Sequence, residues 1–172
     1  DGAGSTVVTN VTNFDIHDIA RASCTYGIKN YFIINRLQEQ LMYVDRVLDH
    51  WRVGEGSVMN PKRKTALGVV KTAETIEQAI AQISPRPLVV ATAARDLSLI
   101  KPIAFKELRQ QIFKKGEERP ILLIFGTGFG LHEDALKQCD VLLEPITGAS
   151  RDDYRHLSVR SAVSICLDRL LG

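Results

Sequence analysis

The sequence is poor in cysteine and has no long apolar run. Its 172 residues include three cysteines, Cys24, Cys139 and Cys166, which are far apart and form no CxxC pair. This odd and scattered set argues against a disulfide framework, and no cysteine stands among histidines at the spacing of a metal site. No stretch approaches the roughly 18 consecutive apolar residues that a membrane span needs. Because residues 1–5 also lack the basic and apolar parts of a signal peptide, we expect a cytoplasmic protein.

The overall composition is that of an ordinary globular protein, with 45% hydrophobic and 24% charged residues. A chain of this length buries one sizeable core, so we expect a single domain over residues 1–172. Basic residues are concentrated in the middle. Residues 61–119 contain 12 basic and 6 acidic residues, whereas 1–60 and 120–172 each contain 5 and 7. This pattern favours either a patch that faces a polyanion or a simply solvated face.

Short apolar runs alternate with longer amphipathic segments. Runs without polar alternation are typical of strands buried on both faces of a parallel sheet. They predict strands over Tyr31–Ile34, Gly68–Lys71, Leu88–Thr92, Ile121–Phe125 and Val141–Leu143. Apolar spacings of three and four predict helices over Asn13–Tyr26, Arg36–Trp51, Ile76–Ile83, around Leu108 and Ile112, and over Leu157–Leu171. The alternation predicts an α/β fold, a parallel sheet flanked by helices.

The first predicted helix, with Asn13 or Asp15 as its cap, has no clear strand before it. Either Thr6–Thr9 forms a short strand, or the chain has been cut from a longer protein.

Ligands of open parallel sheets bind beyond the carboxyl ends of the strands. Two loops follow predicted strands there, Gly126–Leu131 and Leu143–Gly148, and a third segment, Tyr154–Ala162, opens the last helix. Three alternate glycines in the first loop let the backbone approach a ligand closely, although the G-x-G-x-G spacing departs from a dinucleotide fingerprint. Each segment taken alone also fits a plain turn or an ordinary serine cap.

The three segments together are far more specific. In this order, G-x-G-x-G-L, L-E-P-I-x-G and H-L-S-V-R-S-A resemble the S-adenosylmethionine (SAM)-binding end of the SPOUT class of RNA methyltransferases. Asp15, Arg21 and Gly27 match the spacing of that superfamily's first motif. The segments TNFDIHDIARAS, HWRVGEGSVMNPKR and FGTGFGLHEDAL are similar to a small bacterial family of SAM-dependent RNA methyltransferases. Members of that family occur beside, or fused with, the tRNA guanine-N1 methyltransferase.

The resemblance implies a SPOUT fold with a deep C-terminal trefoil knot, a homodimer, and SAM held against the knotted loops. The residues that it assigns to the cofactor are Thr92, Ala93, Gly126, Thr127, Gly128, Gly130, Glu144, Pro145, Ile146, Leu157, Ser158, Val159, Ser161 and Ala162. The implied reaction is methyl transfer from SAM to an oxygen or nitrogen of RNA, with tRNA as the expected substrate. An alternative is a SAM-binding, RNA-associated partner domain with little catalysis of its own.

By the same resemblance, Arg21 and, more weakly, Asp15 are the catalytic candidates. Because arginine stays protonated, Arg21 would orient a phosphate or stabilise developing charge rather than act as a base. His17 is either a weak base candidate or a helix-surface residue. We expect RNA contacts from Arg52 and from the basic run Lys62, Arg63 and Lys64 beside a turn at Asn60. Trp51 either stacks on a base or ends its helix in the core.

Overall fold

The computed structural model describes residues 8–95, 97–114, 116 and 119–172. The described chain divides into two compact units, Val8–Ala79 and Ile80–Gly172. The short strand expected at residues 6–9 lies half outside the described residues, and Val8 and Thr9 belong to no strand. Of the helices in the described part of the chain, none is long and apolar enough to cross a membrane.

The unit Val8–Ala79 contains two parallel strands that pair from Tyr31 opposite Val70 to Ile34 opposite Ala73. Its elements are α1 (Asn13–Thr25), β1 (Tyr31–Ile34), α2 (Gln38–Arg52), α3 (Gly56–Met59), α4 (Pro61–Leu67) and β2 (Val70–Ala73). Its core is formed by the apolar faces of these elements, namely Ile16, Ala20, Ile33, Val44, Leu48, Leu67 and Val70. Helix α5 (Ile76–Ala81) follows.

The N-cap of helix α1 lies one residue before the nearer of the two expected caps. Thr12, rather than Asn13 or Asp15, is the N-cap residue, and its Oγ1 accepts a hydrogen bond from the backbone N–H of Asp15 at 3.2 Å. In return, the Thr12 backbone N–H donates to the Asp15 carboxylate at 3.4 Å, and the Thr12 hydroxyl donates to the same carboxylate at 2.6 Å. This reciprocal pair is a capping box, which satisfies backbone donors that have no partner within the helix.

The turn expected beside Asn60 is instead the start of a helix. The Asn60 side chain accepts from the backbone N–H of Arg63 at 3.0 Å, and Pro61 stands in the first turn, where its missing N–H costs nothing. Because α4 then runs to Leu67, the strand expected at 68–71 begins two residues later, at Val70.

The unit Ile80–Gly172 contains a four-stranded parallel sheet in the order β4-β6-β3-β5. Its elements are β3 (Leu88–Ala91), β4 (Pro102–Ile103), α6 (Phe105–Phe113), β5 (Ile121–Ile124), α7 (Glu133–Leu136), β6 (Val141–Leu143) and α8 (Val159–Leu171). The strand β4 was not predicted, because Pro102 looks like a chain breaker. It is tolerated there since β4 is an edge strand, where the missing N–H leaves no ladder position empty.

Both faces of this sheet are covered, as the continuous apolar runs predict. Val90 and Leu143 face α6 and α8 and pack with Leu108, Cys166 and Leu170. The alternate strand residues, Ala91 and Leu142, face the other way and pack against Leu136 of α7. The parallel α/β architecture expected from the sequence is therefore confirmed within this unit.

The amino-terminal edge of the sheet is tied by one carboxylate. Asp140, just before β6, accepts from the Val89 backbone N–H at 2.9 Å and from the guanidinium groups of Arg86 and Arg119 at 3.1 and 3.3 Å. Burial by itself would raise the pKa of Asp140, but the hydrogen bond from Val89 and the two arginines outweigh it and lower the pKa. Asp140 thus joins the chain segments that lead into β3, β5 and β6.

Asp140→Asn is expected to lower the free energy of unfolding by about 1 kcal/mol at neutral pH, because the side chain is partly exposed and solvent screens the pairs. Since the pKa of Asp140 is lowered in the folded state, its contribution is present above the ordinary aspartate pKa and disappears as the pH falls through the folded value. Urea unfolding at pH 7 and near pH 3 measures this. Asp134→Asn, which removes a well-exposed ion pair with Lys137, is the matched control. Equal losses in both variants at pH 7 would contradict the role assigned to Asp140.

Candidate functional site

Three of the predicted cofactor segments begin at adjacent strand ends. Ala91 of β3 is opposite both Ile124 of β5 and Leu142 of β6. Because these strands are parallel and about 4.8 Å apart, the residues that follow them emerge side by side at one edge. The structure therefore brings together Thr92–Ala93, Gly126–Gly130 and Glu144–Ile146.

The loop after β5 turns sharply back on itself. Gly128 and Gly130 have φ values of 56° and 90°, which side chains other than glycine rarely adopt. The Gly130 N–H donates to the Thr127 carbonyl at 3.1 Å and closes the turn. A Cβ atom at Gly126 would lie 2.5 Å from the Gly130 carbonyl carbon, so the two ends of the loop touch only because residue 126 has no side chain.

Thr92 fastens the ends of two strands. Its backbone N–H and its hydroxyl both donate to the Ile124 carbonyl, at 3.0 and 2.9 Å. The adjoining Ala93 is half-buried against Leu136 and Leu142. The loop after β5 thus starts from a fixed point beside Thr92.

Glu144 has a structural partner that its sequence motif did not reveal. Its carboxylate accepts a hydrogen bond from the Phe105 backbone N–H at 2.6 Å, and its own N–H donates to the Ile103 carbonyl at 2.9 Å. The first of these bonds satisfies a free N–H at the amino end of α6, where negative charge is favourable. Glu144 thereby fixes the loop after β6 to α6. The sequence signal that could have indicated this bond is Ala104. Because α6 starts after a residue whose side chain cannot cap it, a cap from another part of the chain is needed.

The remaining cofactor segment, Leu157–Ala162, forms the start of α8. Ser158 is the N-cap residue, and its Oγ accepts from the Ser161 N–H at 3.2 Å while lying 3.0 Å from the Ser161 hydroxyl. Ser158 thus forms the ordinary serine cap that was one of the possible interpretations of this segment. Whether this segment also completes the cofactor pocket stays a prediction.

The two catalytic candidates lie in the unit Val8–Ala79. The Arg21 side chain is exposed on α1, whereas the Asp15 carboxylate is engaged in the capping box with Thr12. His17 is buried, so its interpretation as a helix-surface residue is wrong, and its Nδ1 has no hydrogen-bond partner in the described structure. Burial, followed by the nearby Arg63 guanidinium, lowers the pKa of His17, which keeps the ring neutral at pH 7.

The residues expected to contact RNA divide into exposed and engaged groups. Lys62 and Lys64 are exposed on α4. The Arg63 guanidinium lies 4.8 Å from the centre of the Trp51 ring, and Arg52 donates to the carbonyls of Leu67 and Val70. Arg52 therefore holds α4 and β2 together, whatever else it contacts.

Trp51 had two open interpretations, stacking on a base or packing in the core, and the structure supports packing in the core. It packs against the core of its unit, and the rings of His17 and His50 meet it edge to face at 5.6 and 4.9 Å. With Arg63 also over the ring, little of Trp51 remains for stacking on a base.

The fold is that of a parallel α/β protein in which three loops leave one edge of a sheet. A family model described as SAM-dependent RNA methyltransferase matches residues 1–172, and the chain belongs to that family. The resemblance to a family of SAM-dependent RNA methyltransferases is thereby confirmed.

Similar sequences occur in longer proteins. The tRNA (guanine-N(1)-)-methyltransferase of Nitratidesulfovibrio vulgaris is 42% identical over 168 residues, which are 95% of this chain and 37% of the relative. The protein of the same name from Oleidesulfovibrio alaskensis is 43% identical over 170 residues, 96% of this chain and 38% of its own length. An uncharacterized protein of Aquifex aeolicus is 38% identical over 176 residues and is covered to 83%. The chain thus spans little more than a third of the first two relatives.

Solved structures share the fold at low sequence identity. TrmJ from Z. mobilis has a TM-score of 0.65 at 16% identity, over 94% of this chain and 65% of that one. A probable methylase family protein from Haemophilus influenzae has a TM-score of 0.64 at 21% identity, over 94% and 61%. The SpoU methyltransferase AviRb from Streptomyces viridochromogenes, in complex with AdoMet, has a TM-score of 0.56 at 13% identity, over 94% and 54%.

Glu144→Ala is expected to lower the free energy of unfolding by about 1 kcal/mol, the usual cost of losing a helix cap. Glu144→Gln keeps an oxygen acceptor for the Phe105 N–H and should recover most of that loss. Urea unfolding of the two variants beside the original chain makes the comparison. Equal destabilisation by Ala and Gln would show that the capping bond does not stabilise α6.

Proposed function

We propose that this chain binds SAM at the carboxyl edge of strands β5, β3 and β6 and directs methyl transfer to tRNA. The observation that carries the proposal is the convergence, at that edge, of the glycine loop, Thr92 and Glu144–Ile146 in a member of a SAM-dependent RNA methyltransferase family. The names of the longer relatives support tRNA as the RNA.

The residues at this edge fit a nucleoside-containing cofactor. Backbone groups of the Gly126–Gly130 turn can hydrogen-bond adenine or ribose atoms, and no neighbouring atom lies within 4 Å of a Cβ placed at Gly130. We assign Thr92, Ala93, the Gly126–Gly130 turn and Glu144–Ile146 to the walls of the pocket, and the start of α8 to its remaining side. SAM, when bound, supplies a methyl group on a positively charged sulfur. The chain's part is to hold it and to exclude water.

Arg21 is the residue that we assign to the RNA side of the reaction. A guanidinium can orient a phosphate or offset negative charge that develops on the attacking atom. Support comes from its match to the first SPOUT motif and from its exposed position on α1. For Asp15 we propose an indirect part, because its carboxylate already closes the capping box that starts this helix.

Lys62 and Lys64 are the cations that we assign to phosphate contacts. Both are exposed on α4, within the segment 61–119 that carries the chain's excess of positive charge. Phosphate contacts of this kind give affinity without selecting a sequence. Arg63 and Arg52 can add to the positive potential while keeping their contacts with Trp51 and with the backbone of α4 and β2.

The finer architecture is proposed on the resemblance to the SPOUT class. We infer a C-terminal trefoil knot that shapes the SAM pocket, a homodimer, and one functional domain over residues 1–172. The alternative function is a SAM-binding partner domain with little catalysis of its own. This alternative is favoured because the chain spans only 37% and 38% of two relatives that are named for guanine-N1 methylation. A fused or associated tRNA guanine-N1 methyltransferase would be the partner of such a domain.

Transfer of a labelled methyl group from SAM to bulk tRNA tests the proposal. The original chain is expected to label tRNA, and Arg21→Ala to lower kcat about 100-fold, in line with losing one charge-stabilising donor, while its Kd for SAM stays the same. Arg36→Ala, which removes another exposed arginine of the same unit, is the control and should keep full activity. SAM binding without any transfer by the original chain would instead support the partner-domain alternative.

A further inference from the structure

Two aromatic side chains in the segments that follow strands β5 and β6 are largely in solvent. Phe129 lies in the loop after β5 and is 73% exposed, and Tyr154 lies between β6 and α8 and is 68% exposed. Rings this exposed add little to the folded core, so they are available for contact with a partner.

Tyr154 belongs to a locally ordered group. Its ring meets the His156 ring edge to face, with the ring centres 5.6 Å apart. The residues on either side of Tyr154 are paired, since the Arg155 guanidinium donates to the Asp153 carboxylate at 2.7 Å. The Leu157 N–H also donates to the Arg155 carbonyl at 3.1 Å. The backbone that carries the two rings is therefore held in place, which lowers the entropy lost when a ligand binds to them.

The position of Tyr154 and His156 in the chain indicates which kind of molecule they contact. His156 stands two residues before Ser158, the cap of α8, and the segment Leu157–Ala162 is the proposed last wall of the SAM pocket. Methyl transfer requires the acceptor atom to approach the methyl group in line, so the RNA must lie over the segments that form the pocket walls. Unpaired bases of RNA stack on tyrosine and histidine rings.

We propose that Tyr154 and His156 form a stacking platform for an unpaired nucleobase of the substrate RNA. The platform consists of these two rings, and it positions the RNA rather than taking part in the chemistry. Phe129, on the loop after β5, is a further exposed ring in the same unit. This inference rests on the proposed function, because it takes the methyl acceptor to be RNA.

The test compares Tyr154→Ala and Tyr154→Phe in methyl transfer to bulk tRNA and in direct tRNA binding by filter retention. Loss of one stacking contact is expected to raise KM and Kd for tRNA about tenfold in Tyr154→Ala, with kcat and the Kd for SAM changed less than twofold. Tyr154→Phe keeps the ring and should restore both values. His156→Ala should show a smaller increase. Tyr43→Ala, at another partly exposed tyrosine, is the matched control and should change nothing.

Each other result overturns the platform. Unchanged KM and Kd in Tyr154→Ala would show that the ring touches no base, and a loss of SAM affinity would assign it to the cofactor. A shift of Tyr154→Ala toward monomer in sedimentation would assign the rings to contact with a second copy. Failure of the proposed function is distinct, since the original chain would then transfer no methyl group at all, and the tRNA Kd of the variants would still test stacking.

Discussion

The parallel pairing of β3 with both β5 and β6 is the constraint on which the candidate site depends. Because all three strands run the same way, Ala91 lines up with Ile124 and Leu142, and the three following loops leave the sheet at one edge. An antiparallel neighbour would send one of these loops to the opposite edge. Residues more than fifty positions apart in the chain, such as Thr92 and Glu144, therefore meet through strand direction and register.

The two edges of the sheet are held by different contacts. At the amino edge, Arg86 and Arg119 pair with Asp140, and Arg119 also donates to a backbone carbonyl, which joins the chain segments that lead into the strands. At the carboxyl edge, Glu144 and Thr92 hold the starting points of the loops, while the glycine turn keeps its backbone accessible.

The sequence predicts what depends on local pattern and misses what depends on tertiary contacts. The bounds of β1 and β6 are as predicted, because their apolar runs are bordered by polar residues. The helix α4 was missed because its basic residues show no apolar face, and β4 because Pro102 looks like a chain breaker and two residues give no periodicity. The segments proposed to bind SAM came from the resemblance, and the side-by-side arrangement of three of them follows from strand order. The bonds of Glu144 to α6 and of Arg52 to α4 and β2 could not be predicted, since they join residues whose proximity only the fold defines.

If the glycine turn after β5 forms a wall of the SAM pocket, a substitution that opens the turn should weaken SAM binding, which calorimetric titration of SAM measures. Gly126→Ala forces the ends of the turn apart, since its Cβ would lie 2.5 Å from the Gly130 carbonyl carbon, whereas Gly148→Ala meets no neighbouring atom within 4 Å. We expect SAM binding by the original chain, at least a tenfold loss of affinity in Gly126→Ala, and little change in Gly148→Ala. Equal affinity in all three proteins, with Gly126→Ala folded, would show that the turn does not line the pocket.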